Sequence, residues 1–218
     1  MEKTDIYVVY EDKDLSSVGC GFFIEAEHKK TLLTSTELRW LTVKENRESP
    51  ELFTEKQVEA NNCISKCANR DWGKLDMKVL LYKNPKNLVD NNHIVQLIRA
   101  GADVRFLKMN NITKICLSEN KLFLSFAPNI EQVANKGILY NGRQNEDPII
   151  GYYESIFNND FIRARRIIVK NNKLSYEDKW YQFLYKTIKE ISLKELIIMF
   201  IGAILGIFIT VLVKILIT

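Results

Sequence analysis

Lys114 and Glu119 stand five residues apart in "ITKICLSENKLFLSF", residues 112–126, where two short strand patterns flank a polar turn. A cation and an acid at this spacing are the working parts of a phosphate-handling site, what is left of one, or charges around an ordinary hairpin. His28 and Lys30 form an H-x-K triplet, but Ser35 fills the place where an acid would complete a motif, and a surface turn explains His28 equally. Cys63 and Cys67 are four apart, on one helix face, with no second pair and no neighbouring histidine in sequence to complete a zinc set. Neither a metal nor a cofactor is expected. Cys116 alternates with Lys114 as a small buried hydrophobe, and few scattered cysteines suit a reducing compartment.

The elements that must position these residues follow from periodicity. "DIYVVY", "GCGFFIEAE" and "KKTLLTS" read as strands, and Glu51 to Ala68 as a helix with Leu52, Val58 and Cys63 inward. "DMKVLLYK" is a nearly continuous apolar strand of the kind covered on both faces. "NNHIVQLIRAG" is a short helix capped by Asn91 or Asn92 and ended by Gly101, and "ADVRFLKM" is the next strand, in the order of a right-handed parallel crossover. "ITKICLS", "KLFLSFA" and "KGILYN" are three further strands. Pro148 then starts a helix that offers Ile149, Tyr152, Tyr153, Ile156 and Phe157 as a buried stripe. The fold class is α/β, a mixed β-sheet flanked by helices, over residues 1–172.

The last residues set a location. "LIIMFIGAILGIFITVLV", Leu196 to Val213, has no charge and no polar face, and about 20 apolar residues cross a hydrocarbon core. Residues 195–217 are expected to form one transmembrane helix, with Lys214 reaching the interface. Residues 173–194 read as an amphipathic juxtamembrane helix with Trp180, Tyr181, Tyr185 and Lys194 as interfacial anchors. Lysines precede the apolar stretch, and no signal peptide opens the chain, so the N-terminal domain is expected in the cytoplasm. Gly202 and Gly206 have the G-x-x-x-G spacing of associating membrane helices.

Residues 77–166 resemble the phospholipase D superfamily: "LIRAGADVRFL", "ITKICLSENKLFLSFAPN" and "YYESIFNNDFIRARRI" fall in the order of that family's strand–turn, H-x-K-x(4)-D hairpin and following helix. The resemblance implies a single phospholipase D-like lobe. It makes Lys114 the phosphate-binding lysine, sets Glu119 where aspartate is usual, and makes Ser125 and Asn129 loose equivalents of the polar pair after the motif. The family's nucleophilic histidine is replaced by Ile112, which has no lone pair and no transferable proton, so the covalent step cannot occur there.

Three functions follow. The first is a membrane-anchored, non-catalytic phospholipase D-like binding module on the cytoplasmic face, part of a signalling or defence system, with Lys114, Glu119, Ser125 and Asn129 as ligand contacts. The second is an active single-motif phosphodiesterase, a nuclease or phospholipase, using His28 of one chain and Lys114 of another in a homodimer. The third is a tail-anchored structural adaptor. The partners expected are the lipid bilayer, a protein and a second copy; a net charge of +4 without a concentrated basic stripe leaves nucleic acid outside that expectation. The densest basic run, Arg163, Arg165, Arg166 and Lys170, reads as a solvated face, with phosphate contact as the other reading.

Overall fold

A computed structural model describes residues 5–9, 12–38, 55–70, 73–88, 91–109, 113–126, 136–142 and 147–177. Their order is β1 (Asp5–Val9), α1 (Asp12–Glu25), β2 (Thr31–Ser35), α2 (Glu55–Ala68), β3 (Met77–Leu81), α3 (Asn92–Arg99), β4 (Asp103–Phe106), β5 (Thr113–Leu117), β6 (Lys121–Phe126), β7 (Lys136–Asn141), α4 (Pro148–Arg163), β8 (Arg165–Lys170) and β9 (Lys173–Tyr176). These form a mixed α/β unit with one nine-stranded sheet, ordered β1-β7-β6-β5-β2-β3-β4-β8-β9.

β2, β3 and β4 run parallel, as crossovers through α2 and α3 require, while β5, β6 and β7 form an antiparallel meander on the other side of β2. Side-chain alternation sorts the core into two layers. Leu33, Val79, Leu81, Val104, Cys116 and Phe123 pack against α1, α2 and α3. Leu32, Leu80, Ile115, Leu117, Leu122 and Tyr140 pack against α4, which covers the opposite face.

Two caps fix the helices that bracket the sheet. Gly101, at φ +101°, ends α3 in the left-handed conformation and lets the Ala102 N–H reach the Leu97 carbonyl. Asp147 starts α4: its Oδ1 accepts from the Ile149 and Ile150 N–H groups, its Oδ2 from the buried Tyr140 hydroxyl at 2.7 Å, and Pro148 occupies the first turn.

Several expectations are corrected. "GCGFFIEAE" lies in and just after a helix, not in a strand, because Cys20, Phe22, Phe23 and Ala26 bury one helical stripe against α2. Val58 faces outward at 45% exposure, and α2 buries Ala60, Cys63, Ile64 and Cys67 instead. The buried stripe of α4 is Ile150, Phe157 and Phe161, with Ile149 exposed and Tyr152 64% exposed, because the Asp147 cap sets its phase one residue later. Residues 173–176, at the head of the expected juxtamembrane helix, form β9 against β8. Among the described residues no helix is long and apolar enough to cross a membrane; Leu52, Trp180, Tyr181, Tyr185, Lys194, Gly202, Gly206, Lys214 and the rest of 178–218 lie outside them.

Candidate functional site

The chain turns in opposite directions on the two sides of the β2–β5 junction. From β2 it moves through α2 to β3, and from β5 through a hairpin to β6. In α/β sheets such a switch opens a crevice beyond the carboxyl ends of the strands. β2, β3, β4 and β6 end at this carboxyl edge, and β5, β7 and β8 begin there.

The β2–β5 ladder stops short of that edge. Its register pairs are Leu32 with Leu117 and Leu33 with Cys116; next, the Ile115 N–H donates not to a strand carbonyl but to Thr34 Oγ1, at 2.7 Å. A hydroxyl standing in for the ladder partner satisfies the buried N–H while releasing the two strand ends from each other. Ser35 and Lys114 therefore lie beyond the last pair. By alternation both face α1–α3, Ser35 with Leu33 and Lys114 with Cys116.

Lys114, Ser125 and Gly137 form one cross-strand row over β5, β6 and β7. Lys114 is half-buried, and among the described residues no carboxylate pairs with it. Ser125 is buried beside it. A Cβ at Gly137 would stand 2.6 Å from Leu15 Cδ2 and 2.5 Å from Phe123 Cε2, so glycine is what lets the first turns of α1 approach this row. A lysine ammonium beside serine hydroxyls favours an anion.

Across the junction, His93 at the start of α3 is buried, and its Nε2 lies 2.9 Å from the Glu37 carbonyl; a carbonyl only accepts, so Nε2 carries the proton. Glu37 also forms an ion pair with Lys83. His93 ties the chain leaving β2 to α3. Thr34 and Glu37 escape sequence reasoning; the one signal is three hydroxyl residues, Thr31, Thr34 and Ser35, in a strand buried at every position.

The expected site residues divide. Lys114 and Ser125 come together. Glu119 is exposed in the β5–β6 turn at the far end of β5, roughly 17 Å from Lys114 at about 3.4 Å per residue. That turn is pinned to α1 by Glu25, which pairs with Lys121 and accepts from Ser118 Oγ at 3.4 Å. His28, whose side chain is 73% exposed, precedes the amino end of β2, so the strand's length, about 13 Å, and more separates it from Lys114. Ile112 and Asn129 lie outside the described residues.

The cysteines are buried thiols. Burial raises Cys20 to about 12 and moves Cys116 further up. Cys63, also about 12, is raised first by burial, then by Cys67 and Glu27, whose Oε2 it meets at 3.5 Å. Such thiols are inert packing groups. Of the arginine run, Arg166 pairs with Asp103 at 3.3 Å, and Arg165 sits over the Tyr176 ring.

No protein-family model and no curated protein matches the chain. Two solved structures are loosely similar. TrmBL2, an archaeal chromatin protein whose structure is described as showing a novel mode of DNA binding, has a TM-score of 0.46 at 13% identity, over 73% of this chain and 52% of its own, so this chain spans about half of TrmBL2. NucT from Helicobacter pylori has a TM-score of 0.41 at 11% identity, over 74% of this chain and 97% of its own. The expectation that left nucleic acid outside the partner set is corrected, since one of these neighbours is described as binding DNA. At scores this low neither neighbour assigns a ligand to this chain.

Proposed function

We propose that the chain is a phosphate-binding module without hydrolytic chemistry, held at a membrane by residues 195–217 with its N-terminal domain in the cytoplasm. The observation that carries this reading is Lys114 beyond the end of the β2–β5 ladder, opposite Ser125 and without a described acid partner. A phosphate oxygen there meets an ammonium and hydroxyl donors. Hydrolysis lacks its parts: Ile112 cannot attack or protonate, His93 donates to a backbone carbonyl, and His28 sits at the other end of β2. The apolar stretch Leu196 to Val213 supports the membrane tether.

The test is calorimetric titration of the full chain in non-ionic detergent with inorganic phosphate and pyrophosphate, beside an assay with a chromogenic phosphodiester. Binding that falls at least tenfold in Lys114→Met, with no diester cleavage, is expected. Undiminished binding in Lys114→Met, or cleavage that Lys114→Met abolishes, overturns the module. Membranes that release the full chain into alkaline carbonate overturn the tether.

A further inference from the structure

The carboxyl edge continues past the crevice into a second group of cations. Asn84, after β3, accepts on Oδ1 from the Lys86 N–H at 3.0 Å and from the Tyr176 hydroxyl at the end of β9. The Tyr176 ring so fixed carries two cations, Lys86 Nζ and Arg165 Cζ, each 4.5 Å from its centroid, with Phe106 packed 6.0 Å away. Lys86, Arg165 and Lys108 are exposed, and none has a carboxylate partner among the described residues. At this edge Glu37 takes Lys83.

From Lys114 on β5 to Arg165 on β8 is four strand spacings, about 19 Å at about 4.8 Å each. On the far side of Lys114, Phe126 ends β6 with 39% of its surface exposed, on the sheet face opposite Lys114 and Ser125. A row of cations without a carboxylate partner among the described residues, one strand-end wide, suits a chain of spaced phosphates better than one small anion or a plane of headgroups. An exposed aromatic at its end adds a stacking platform for a base.

We propose that this edge binds single-stranded nucleic acid, with phosphates on Lys114, Lys86 and Arg165 and a base on Phe126. The proposal rests on the Lys114 phosphate site and extends it with a second contact at Tyr176.

The experiment is fluorescence anisotropy of a labelled twelve-residue oligothymidine with the full chain in detergent, across a salt series. Each phosphate contact on a single strand contributes about 0.7 to the slope of log K against log salt. Lys86→Gln/Arg165→Gln is expected to lower that slope by about 1.4 and weaken binding at least tenfold at low salt, with inorganic phosphate binding unchanged. Lys170→Gln/Lys173→Gln, which removes the same charge at the other end of the β8–β9 hairpin, is expected to leave the slope unaltered. Inorganic phosphate binding without oligothymidine binding overturns this inference while leaving the phosphate module standing; loss of both from the wild-type chain overturns both. An equal effect of the two double variants, or an unchanged slope in the first, also overturns it. So does binding to phosphatidylserine vesicles, dependent on Lys86 and Arg165, without oligothymidine binding.

Discussion

Thr34 sets the shape of the crevice, and Thr34→Val isolates that role. Valine keeps the volume and branching of threonine and removes only the hydroxyl. The Ile115 N–H, buried under α4, then loses the acceptor it meets at 2.7 Å. Leaving a buried donor unpaired costs about 1–3 kcal/mol. At the middle of that range, a domain of this size loses about 4–8 °C in Tm. The strands have one way to recover the loss, which is to draw together until a β2 carbonyl takes the N–H. That extends the ladder by a pair and closes the crevice beside Lys114, so stability returns as phosphate affinity falls. Thr34→Ser keeps the hydroxyl and gives up a methyl group, about 1 kcal/mol, with affinity retained. Thermal unfolding of the full chain in detergent, paired with phosphate titration, reads both quantities. A valine variant as stable as wild type and binding phosphate equally well refutes the assignment.

Asp147→Ala removes a helix cap, about 1 kcal/mol, and the carboxylate that accepts from the Tyr140 hydroxyl, about 1 kcal/mol more; Tyr140→Phe should cost less in that variant than in the wild-type chain, and denaturant midpoints that simply add would count against the shared carboxylate. Gly101→Ala forces alanine to φ +101° with its Cβ 2.8 Å from Lys74 Cβ, so about 1–3 kcal/mol should be lost, and an unchanged midpoint would remove the cap argument. Cys20 keeps its proton to about pH 12 in the folded chain but releases it from about 9.0 when unfolded. Its contribution is therefore whole below pH 9 and is lost as pH rises through 12, at about 1.4 kcal/mol per pH unit. Cys20→Ala should flatten the alkaline limb of a stability profile by one proton, and an identical limb would contradict it.

The parallel crossover was legible because "DMKVLLYK" is continuously apolar, "NNHIVQLIRAG" is amphipathic with a glycine that only a left-handed position needs, and "ADVRFLKM" follows as a strand, although the N-cap Asn91 makes no side-chain capping hydrogen bond. Sequence patterning failed where tertiary packing decides. "GCGFFIEAE" has the aromatic and branched residues of a strand, yet it lies largely in α1, against α2, because Cys20, Phe23 and Ala26 share a helical stripe. In α4 the apolar residues are too dense to fix a phase, and the Asp147 cap chooses Ile150 over Ile149. At the site, Lys114 and Ser125 could be paired from the hairpin register alone. Thr34 could not, because its role depends on a strand eighty-one residues away.

The two edges of the sheet treat charge differently, and two lysines of one hairpin expose the contrast. At the amino edge charges are neutralised in place, Lys121 by Glu25 and the α4 terminus by Asp147, and Asp103 there also takes Arg105 and Arg166 from further along β4 and β8. At the carboxyl edge Lys86, Lys108, Lys114 and Arg165 have no described acid partner. Lys121→Glu places two carboxylates together where Glu25 is half-buried, so it should cost about 1 kcal/mol of stability and leave phosphate affinity intact. Lys114→Glu breaks no described ion pair, so it should leave unfolding nearly unchanged while abolishing phosphate binding. Paired unfolding and titration curves separate the two. If Lys114→Glu unfolds the domain and Lys121→Glu abolishes binding, the carboxyl edge is a structural seam and the site must be sought elsewhere.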